Sequence, residues 1–378
     1  MNNTDLRDLR RQWQRHGAPP TSTSAALERL GSTLGQSWQR CFQFGLMPSA
    51  RRPSDDHVLG SENLRIRIEQ REQLIRTAIP TLDYLHALIA GTGGVVILAD
   101  HQGVIVHSVG DPTFLHRADR VLLRPGASWL ERHRGTNAIG TALHEGRAVA
   151  VNGAEHFFEE NGFLSCTASP IRGPDGRTLG VLDISSDQRS HHPHTLGLVR
   201  TSVRAIERQL FAQAETGETL KATCHPSPAG LGSMAEGLLH LDETGLITAM
   251  DTVAMGWLGL QQQDIGQIRL PQLFPMMFPL DWKAVFDQAL RQGTFSLELK
   301  TLQGRSLAFR LDASGWRSRR PAANSTALVT EDEPGTTELR EVSRRTVEQT
   351  LLDTHGNIAA AARRLGISRS TLYRHLKR

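Results

Sequence analysis

Basic side chains are concentrated at the carboxyl end of this chain, where they could bind a polyanion. Residues 356–378 contain six Lys or Arg residues and no Asp or Glu. The whole chain of 378 residues carries 43 basic and 39 acidic residues, a formal net charge of +4. The terminal segment therefore supplies the entire positive excess. A localised basic segment indicates nucleic-acid binding, whereas an unpatterned one is typical of a solvated tail.

Apolar residues in this basic segment recur with the spacing of two short helices. The first begins after Asn357, a capping residue, and its apolar stripe ends just before Gly366. Ser368 is a suitable N-cap for the second helix, over 369–377, whose two leucines face inward. A helix of about 13 Å fits a major groove about 12 Å wide. The spacing therefore predicts a helix-turn-helix that binds DNA.

Residues 356–377 contain Gly-Asn, a run of alanines, Leu-Gly-Ile and Thr-Leu-Tyr in that order. In this they resemble the Fis-type helix-turn-helix family, and the resemblance runs from about Glu338 to the last residue. It implies an all-α unit that binds double-stranded DNA as a dimer. Tyr373 either packs inward or contacts DNA, and the terminal cations, with Arg363 and Arg364, are expected to meet phosphates. The expected DNA-contacting residues are Ser368, Arg369, Ser370, Thr371, Tyr373, Arg374, Lys377 and Arg378.

The N-terminal two-thirds of the chain predicts an antiparallel sheet between helices. A helix is expected over 61–90, bent near Pro80, and β-rich runs form two hairpins over 95–109 and 164–185. A helix over 137–145 and a strand over 148–152 lie between the hairpins. A closing helix over 196–210 has apolar residues stepping by three and four, which is typical of packing on a partner helix. These elements predict an α+β sensor module that dimerises.

Several motifs in this region, including Ser37-Trp-Gln-Arg-Cys41 and the run from Gly135 to Leu143, resemble the GAF sensor region of acetoin- and glycerol-metabolism regulators. The resemblance covers about residues 25–215. It implies a small-molecule pocket between the sheet and its overlying helices, although a GAF fold can also serve dimerisation alone. Each candidate also has a structural interpretation, as core, cap or backbone acceptor. The candidate ligand-binding residues are Trp129, Asn137, Thr141, His156, Cys166 and Asp183.

Two features could be taken for redox or metal chemistry. Cys166 could be the thiol of a GAF-fold reductase, but a small buried hydrophobe is the default for such a cysteine. The histidines of Ser190-His-His-Pro-His194 could hold a metal, yet Pro193 favours entry into a helix. We therefore expect no metal and no cofactor. The scattered cysteines, the lack of a secretory signal and the lack of a long apolar run indicate a cytoplasmic protein with no membrane contact.

The order of these segments predicts a multi-domain α+β protein. A hairpin over 237–248 and two strand-like runs over 295–312 resemble a PAS-type module, which either binds a ligand or acts as a spacer. The expected segments are an N-terminal helical segment over 1–57, a GAF domain over 58–215, a linker over 216–232, a PAS-like domain over 233–317, a linker over 318–335 and a helix-turn-helix over 336–378.

Regulators of the resembled family place an AAA+ ATPase between sensor and DNA-binding unit. That ATPase needs the phosphate-binding motif Gly-x-x-x-x-Gly-Lys-[Ser/Thr], which this sequence does not contain. The sequence thus predicts a ligand-responsive, dimeric regulator of palindromic DNA without ATPase activity, with RNA polymerase or a related regulator as a further partner. Two alternatives stay open. One is an anti-activator that pairs with an ATPase-bearing relative, and the other is a thiol-dependent reductase.

Overall fold

A computed structural model describes residues 31–48, 57–190, 192–214, 218–274, 281–300 and 304–316. Elements are numbered within these residues. The helices are α1 Ser32–Gln43, α2 Ser61–Gln70, α3 Glu72–Ile89, α4 Pro112–Asp119, α5 Glu131–Arg134, α6 Ala138–Glu145, α7 Thr195–Gln213, α8 Thr252–Leu258 and α9 Trp282–Gln292. The strands are β1 Gly94–Asp100, β2 Ile105–Gly110, β3 Val149–Asn152, β4 Leu164–Arg172, β5 Thr178–Asp187, β6 Leu220–His225, β7 Gly237–Leu241, β8 Ile247–Met250, β9 Thr294–Lys300 and β10 Ser306–Asp312.

The first five strands form one antiparallel sheet in the order β2-β1-β5-β4-β3. Every residue of β1 is buried, because helices cover both faces of the sheet at this strand. The sequence of β1 is accordingly an unbroken apolar run, Val95-Val-Ile-Leu-Ala99, with no polar residue facing solvent. Both predicted hairpins and the strand between them are therefore confirmed, with ends shifted by one or two residues.

Alternate residues of the strands enter two separate cores. Ile97 and Cys166 face the core built with α4, α6 and the loop around Trp129. Leu98 and Ile184 face the opposite core, which is built with α3 and α7. The arrangement is thus a helix pair, a sheet, and a second helical layer on the other face.

The single helix expected over 61–90 is two helices in the structure, and the bend expected near Pro80 stays a prediction. The helix is interrupted at Arg71, whose φ and ψ of −113° and 16° end α2 and precede α3. Pro80 lies inside α3 at an exposed position. Water can there solvate the backbone carbonyl that proline leaves without a donor, so the helix continues through it.

The partner of the closing helix lies within the same chain. Val199, Val203, Ile206 and Leu210 of α7 are buried against α3 and the sheet. Their three-and-four spacing therefore reflects the pairing of α7 with α3 and supplies no face for a second copy. The dimer inferred from this spacing is consequently without support from α7.

The later strands form a second antiparallel sheet in the order β8-β7-β6-β10-β9. The expected linker over 216–232 is wrong at its centre, because β6 occupies 220–225 and is the middle strand of this sheet. Leu220, Ala222 and Cys224 alternate into its core. Cys224, which lies within the expected linker, is thus a core residue. The domain boundaries themselves stay a prediction.

A buried ionic cluster joins α7 to the second sheet. The guanidinium of Arg204 donates to the carboxylate of Asp251 and to the backbone carbonyl of Glu236. The carboxylate of Glu236 accepts from Arg208 at 3.0 Å and from Arg310 at 3.4 Å. Arg204 is 9% exposed and Glu236 2%, and each is paired with an opposite charge across the contact between α7 and the second sheet.

None of the helices in the described part of the chain is both long enough and apolar enough to cross a membrane.

Candidate ligand-binding site

The eight residues expected to contact DNA, Ser368, Arg369, Ser370, Thr371, Tyr373, Arg374, Lys377 and Arg378, lie outside the described residues. The six expected to bind a ligand all lie within them and are buried.

Asp183 and Cys166 meet on one face of the first sheet. Cys166 of β4 lies opposite Ser185 of β5, and Asp183 lies two residues earlier on the same face of β5. The Ser185 hydroxyl lies 2.6 Å from Asp183 Oδ2, to which it donates, and 3.0 Å from Cys166 Sγ. The strand register thus brings three polar groups together inside an aliphatic core.

The second carboxyl oxygen of Asp183, Oδ1, differs from Oδ2 in that it accepts no hydrogen bond from the described residues. Asp183 is 1% exposed, and its Oδ1 has no hydrogen-bond partner among the described residues. Burial raises the pKa of Asp183 to about 7, although the hydrogen bond from Ser185 opposes the rise. Near neutral pH this carboxyl can therefore donate or accept a hydrogen bond, which suits it to the polar group of a small molecule.

The Cys166 thiol is not prepared for nucleophilic chemistry. Burial raises its pKa well above the ordinary value, and the charge of Asp183 raises it further. A reactive cysteine instead needs a lowered pKa and access to solvent, and Cys166 is 3% exposed. The geometry therefore favours the interpretation of Cys166 as a core residue beside Asp183.

Trp129 and Asn137 hold the loop and helix that cover this face. Asn137 caps α6, since its Oδ1 accepts from the Gly140 backbone N–H at 2.8 Å. Its Nδ2 donates to the carbonyls of Trp129 and Gly135 at 2.9 and 2.8 Å. The Trp129 indole donates to the Leu122 carbonyl at 3.0 Å. The polar atoms of both residues are thus used in structure, and the Trp129 ring packs in the same core as Cys166.

Thr141 belongs to a buried hydrogen-bond network around Glu131, which no pattern in the sequence indicated. Glu131, 5% exposed, accepts from Thr141 at 2.8 Å, from Ser37 at 2.5 Å, and from Arg40 at 2.7 and 2.8 Å. Burial by itself would raise the pKa of Glu131, but these hydrogen bonds outweigh burial and lower it. The network attaches α1 to α5 and α6 through a charged pair. Arg40 lay within the motif quoted for the family, but nothing in the sequence near Glu131 indicated that it is buried.

His156 lies apart from the other candidates, beside an aromatic cluster. It is fully buried, and its Nδ1 is 3.0 Å from the Gly153 carbonyl. The next residue, Phe157, packs against Trp38 and Phe42 of α1 with ring centroids 5.2 and 5.0 Å apart. The six predicted residues thus divide into local groups, and that of Asp183 and Cys166 is the one that carries an uncommitted carboxyl oxygen.

His192, Pro193 and His194 precede α7, so Pro193, which was expected in the first turn of the closing helix, lies just outside it. His192 and His194 are exposed, and α7 begins directly afterwards at Thr195. Within the described ranges, no three His, Cys, Asp or Glu side chains are arranged to hold a metal ion.

Two family models match this chain. The model described as MimR, N-terminal domain, matches residues 14–208, just over half of the chain. The model described as bacterial regulatory protein, Fis family, matches residues 338–378. The resemblance to this regulator family and to the Fis-type unit is thereby confirmed, and the GAF identity of the first sheet region stays a prediction.

Several curated proteins similar to the chain are named as transcriptional regulators. The acetoin dehydrogenase operon transcriptional activator AcoR of Bacillus subtilis is 35% identical over 190 residues, half of this chain and 31% of that protein. The acetoin catabolism regulatory protein of Cupriavidus necator is 34% identical over 239 residues, 61% of this chain and 35% of that protein. The chain spans between 31% and 40% of the length of the first such relatives.

Among solved structures, a chain of the E. coli DhaR(N)–DhaL complex superimposes with a TM-score of 0.45 at 16% identity, covering 74% of this chain and 98% of that one.

Proposed function

Because this chain belongs to the family of the MimR N-terminal domain, we propose that it is a DNA-binding transcriptional regulator whose first sheet domain senses a small molecule. The observation that carries this proposal is the Fis-family match over 338–378. It falls on the segment that supplies the whole positive excess of the chain. Regulators named for acetoin and propane operons are its relatives, which agrees with that assignment. It acts on the chromosome in the cytoplasm, as a homodimer on palindromic sites, without enzymatic or ATPase activity.

A binding experiment with the full chain tests this function. The protein selects its site from randomised double-stranded DNA, and its affinity for the selected sequence is compared with that for a shuffled one across salt concentrations. We expect Arg374→Ala or Arg369→Ala to weaken binding by about 5- to 150-fold, as for loss of a base contact worth about 1–3 kcal/mol. Equal affinity for selected and shuffled DNA would contradict sequence-specific regulation.

The matched control removes one positive charge outside the Fis-family segment of the sequence. Arg65 is exposed on α2 and pairs with Glu69 in an i,i+4 contact at the surface. Arg65→Ala is expected to leave DNA affinity and its salt dependence unchanged. If it weakened binding as much as Arg374→Ala, general charge and not the terminal helix would explain the affinity.

The effector in this proposal engages Asp183. The support is its buried carboxyl oxygen without a partner within the described residues. Acetoin is the first probe, since two relatives are named for acetoin. We expect its affinity to fall about tenfold or more in Asp183→Ala, because a hydrogen bond to an ionisable group is lost. Unchanged acetoin affinity in this variant would remove Asp183 from the effector site.

A second candidate function is that of an anti-activator. The observation that favours it is the absence of an ATP-binding loop motif from the printed sequence. Such a protein would pair with an ATPase-bearing relative or occupy its sites. Co-purification with a tagged relative, together with lower transcription from its promoter, would distinguish this function from independent regulation.

A further inference from the structure

A pocket of about 500 Å³ opens where the first sheet, α7 and the start of α8 meet. It lies on the α3/α7 face of the sheet, since Ser169 of β4 lines it and strand alternation places Cys166 on the opposite face. It is therefore separate from the Asp183 group. The charged residues that line it are Arg147, Arg172, Arg200, Arg204 and Glu207. Thr252, the first residue of α8, also lines it.

The lining of this pocket has an excess of positive charge. Four arginines contribute to it and only one carboxylate, that of Glu207. The guanidinium of Arg172 donates to two neutral acceptors, the backbone carbonyls of Gly176 at 3.1 Å and Gly146 at 2.9 Å. Arg200 is exposed and forms no hydrogen bond or ion pair with any other described residue. Arg200 thus lacks a carboxylate partner among the described residues, and Arg172 interacts electrostatically with Glu207 but forms no ion pair with it at contact distance.

The one carboxylate in the pocket is poorly suited to balance these cations. Glu207 is 8% exposed, and its Oε1 accepts from the backbone N–H of Arg172 at 2.8 Å. Burial raises its pKa to about 7, so part of its negative charge is lost at neutral pH. Arg204 is already paired with Asp251. The unbalanced groups, Arg172 and Arg200, therefore come from the end of β4 and from α7.

We propose that this pocket binds a small dianion, a phosphorylated or dicarboxylate metabolite, held by Arg172 and Arg200. Planar guanidinium groups form paired hydrogen bonds with phosphate and carboxylate oxygens, which makes arginine the side chain suited to such a ligand. The volume admits a molecule larger than inorganic phosphate. Because Thr252 begins α8 of the second domain, the bound dianion contacts both sheet domains. The site is distinct from the effector site at Asp183, and its test does not require DNA binding.

Calorimetric titration of the full chain tests the site, with inorganic phosphate and succinate as probes at constant ionic strength in chloride. We expect one of the two dianions to bind with one site per chain. Arg200→Gln should weaken that binding about tenfold or more, as for loss of a charge-assisted hydrogen bond. Binding of phosphate identifies a phosphorylated ligand class, and binding of succinate identifies a dicarboxylate. Binding of neither, above the response to chloride, overturns the proposal.

A control variant and a second readout separate the site from general charge effects. Arg76 is an exposed arginine of α3, 78% accessible, and Arg76→Gln should leave the affinity unchanged. Hydrogen exchange should show protection by the bound dianion at both the end of β4 and the start of α8. Equal affinity in wild type and Arg200→Gln, or protection confined to other regions, refutes the assignment. Arg200→Gln alters an exposed position, and an unchanged melting temperature in chloride confirms that it folds.

Discussion

Replacing Asp183 with asparagine should change how the stability of the protein depends on pH. The pKa of Asp183 is raised by burial to about 7, whereas an ordinary Asp has a value of 3.8. Between these values the folded protein holds a proton that the unfolded chain has released. Stability therefore falls as pH rises through this window, and it changes no further above the folded pKa.

The size of this effect follows from the two pKa values. A difference of about 3 corresponds to about 4 kcal/mol in total, of which about 2–3 kcal/mol is lost between pH 5 and pH 8. The asparagine side chain has no proton to release, and it can still accept the hydrogen bond from Ser185. Asp183→Asn should thus lose about 2–3 kcal/mol less than wild type over that range. Glu207, whose pKa burial also raises to about 7, accounts for a similar share of the wild-type slope.

Urea unfolding followed by tryptophan fluorescence at several pH values measures this quantity. Trp38 and Trp129 are buried in the first domain and report its unfolding. Asp83→Asn, at an exposed position of α3, is the matched control and should follow the wild-type curve. If Asp183→Asn showed the same pH slope as wild type, Asp183 would be ionised in the folded protein at pH 5 and the reasoning would fail.

Two further predictions concern packing and the buried ion pair. Glu131→Gln should destabilise the protein by about 1–3 kcal/mol in urea unfolding, because it removes the buried charge that accepts from Ser37, Thr141 and half-buried Arg40 and leaves Arg40 only Glu145, at 3.3 Å, as a counter-charge. Glu69→Gln in the exposed pair with Arg65 should change stability by less than about 1 kcal/mol, and equal effects would contradict the network. Gly140→Ala should cost about 1–3 kcal/mol, since the added Cβ would lie 2.6 Å from the Trp129 carbonyl oxygen. At Gly197 of α7 an added Cβ would meet no atom within 4 Å, so Gly197→Ala should be neutral or stabilising by up to about 1 kcal/mol. Thermal melts of the two glycine variants measure these effects. If Gly140→Ala melted at a higher temperature than Gly197→Ala, the contact at Gly140 would be contradicted.

Sequence patterns were sufficient where local chemistry determines the structure. The predicted strand over 164–172 coincides with β4, because Gly173-Pro-Asp-Gly176 specifies the turn that ends it. The same holds for the capping of α6 by Asn137. Strand β6 was missed because proline and glycine around it indicated a linker. Its alternating apolar residues, from Leu220 to Cys224, were nevertheless present in the sequence.

The candidate site could be predicted only in part, because the residues that meet in it are far apart in the sequence and are brought together by strand pairing and by an ion pair. Residue type indicated Cys166 and Asp183, but their meeting at Ser185 depends on the register between β4 and β5. Glu131 is a charged residue in a polar stretch, and such residues are usually exposed. It is buried because Arg40, 91 positions away, supplies its counter-charge. Neither contact has a local signature in the sequence.

The placement of β6 determines how the two sheet domains can move. Helix α7 ends at Gln213, and β6 begins at Leu220 as the middle strand of the second sheet. Arg204 also holds the helix to Asp251, and Arg208 holds it to Glu236, both beside the second sheet. A rotation of α7 about its axis would therefore displace the second sheet, and the two sheets should reorient in concert.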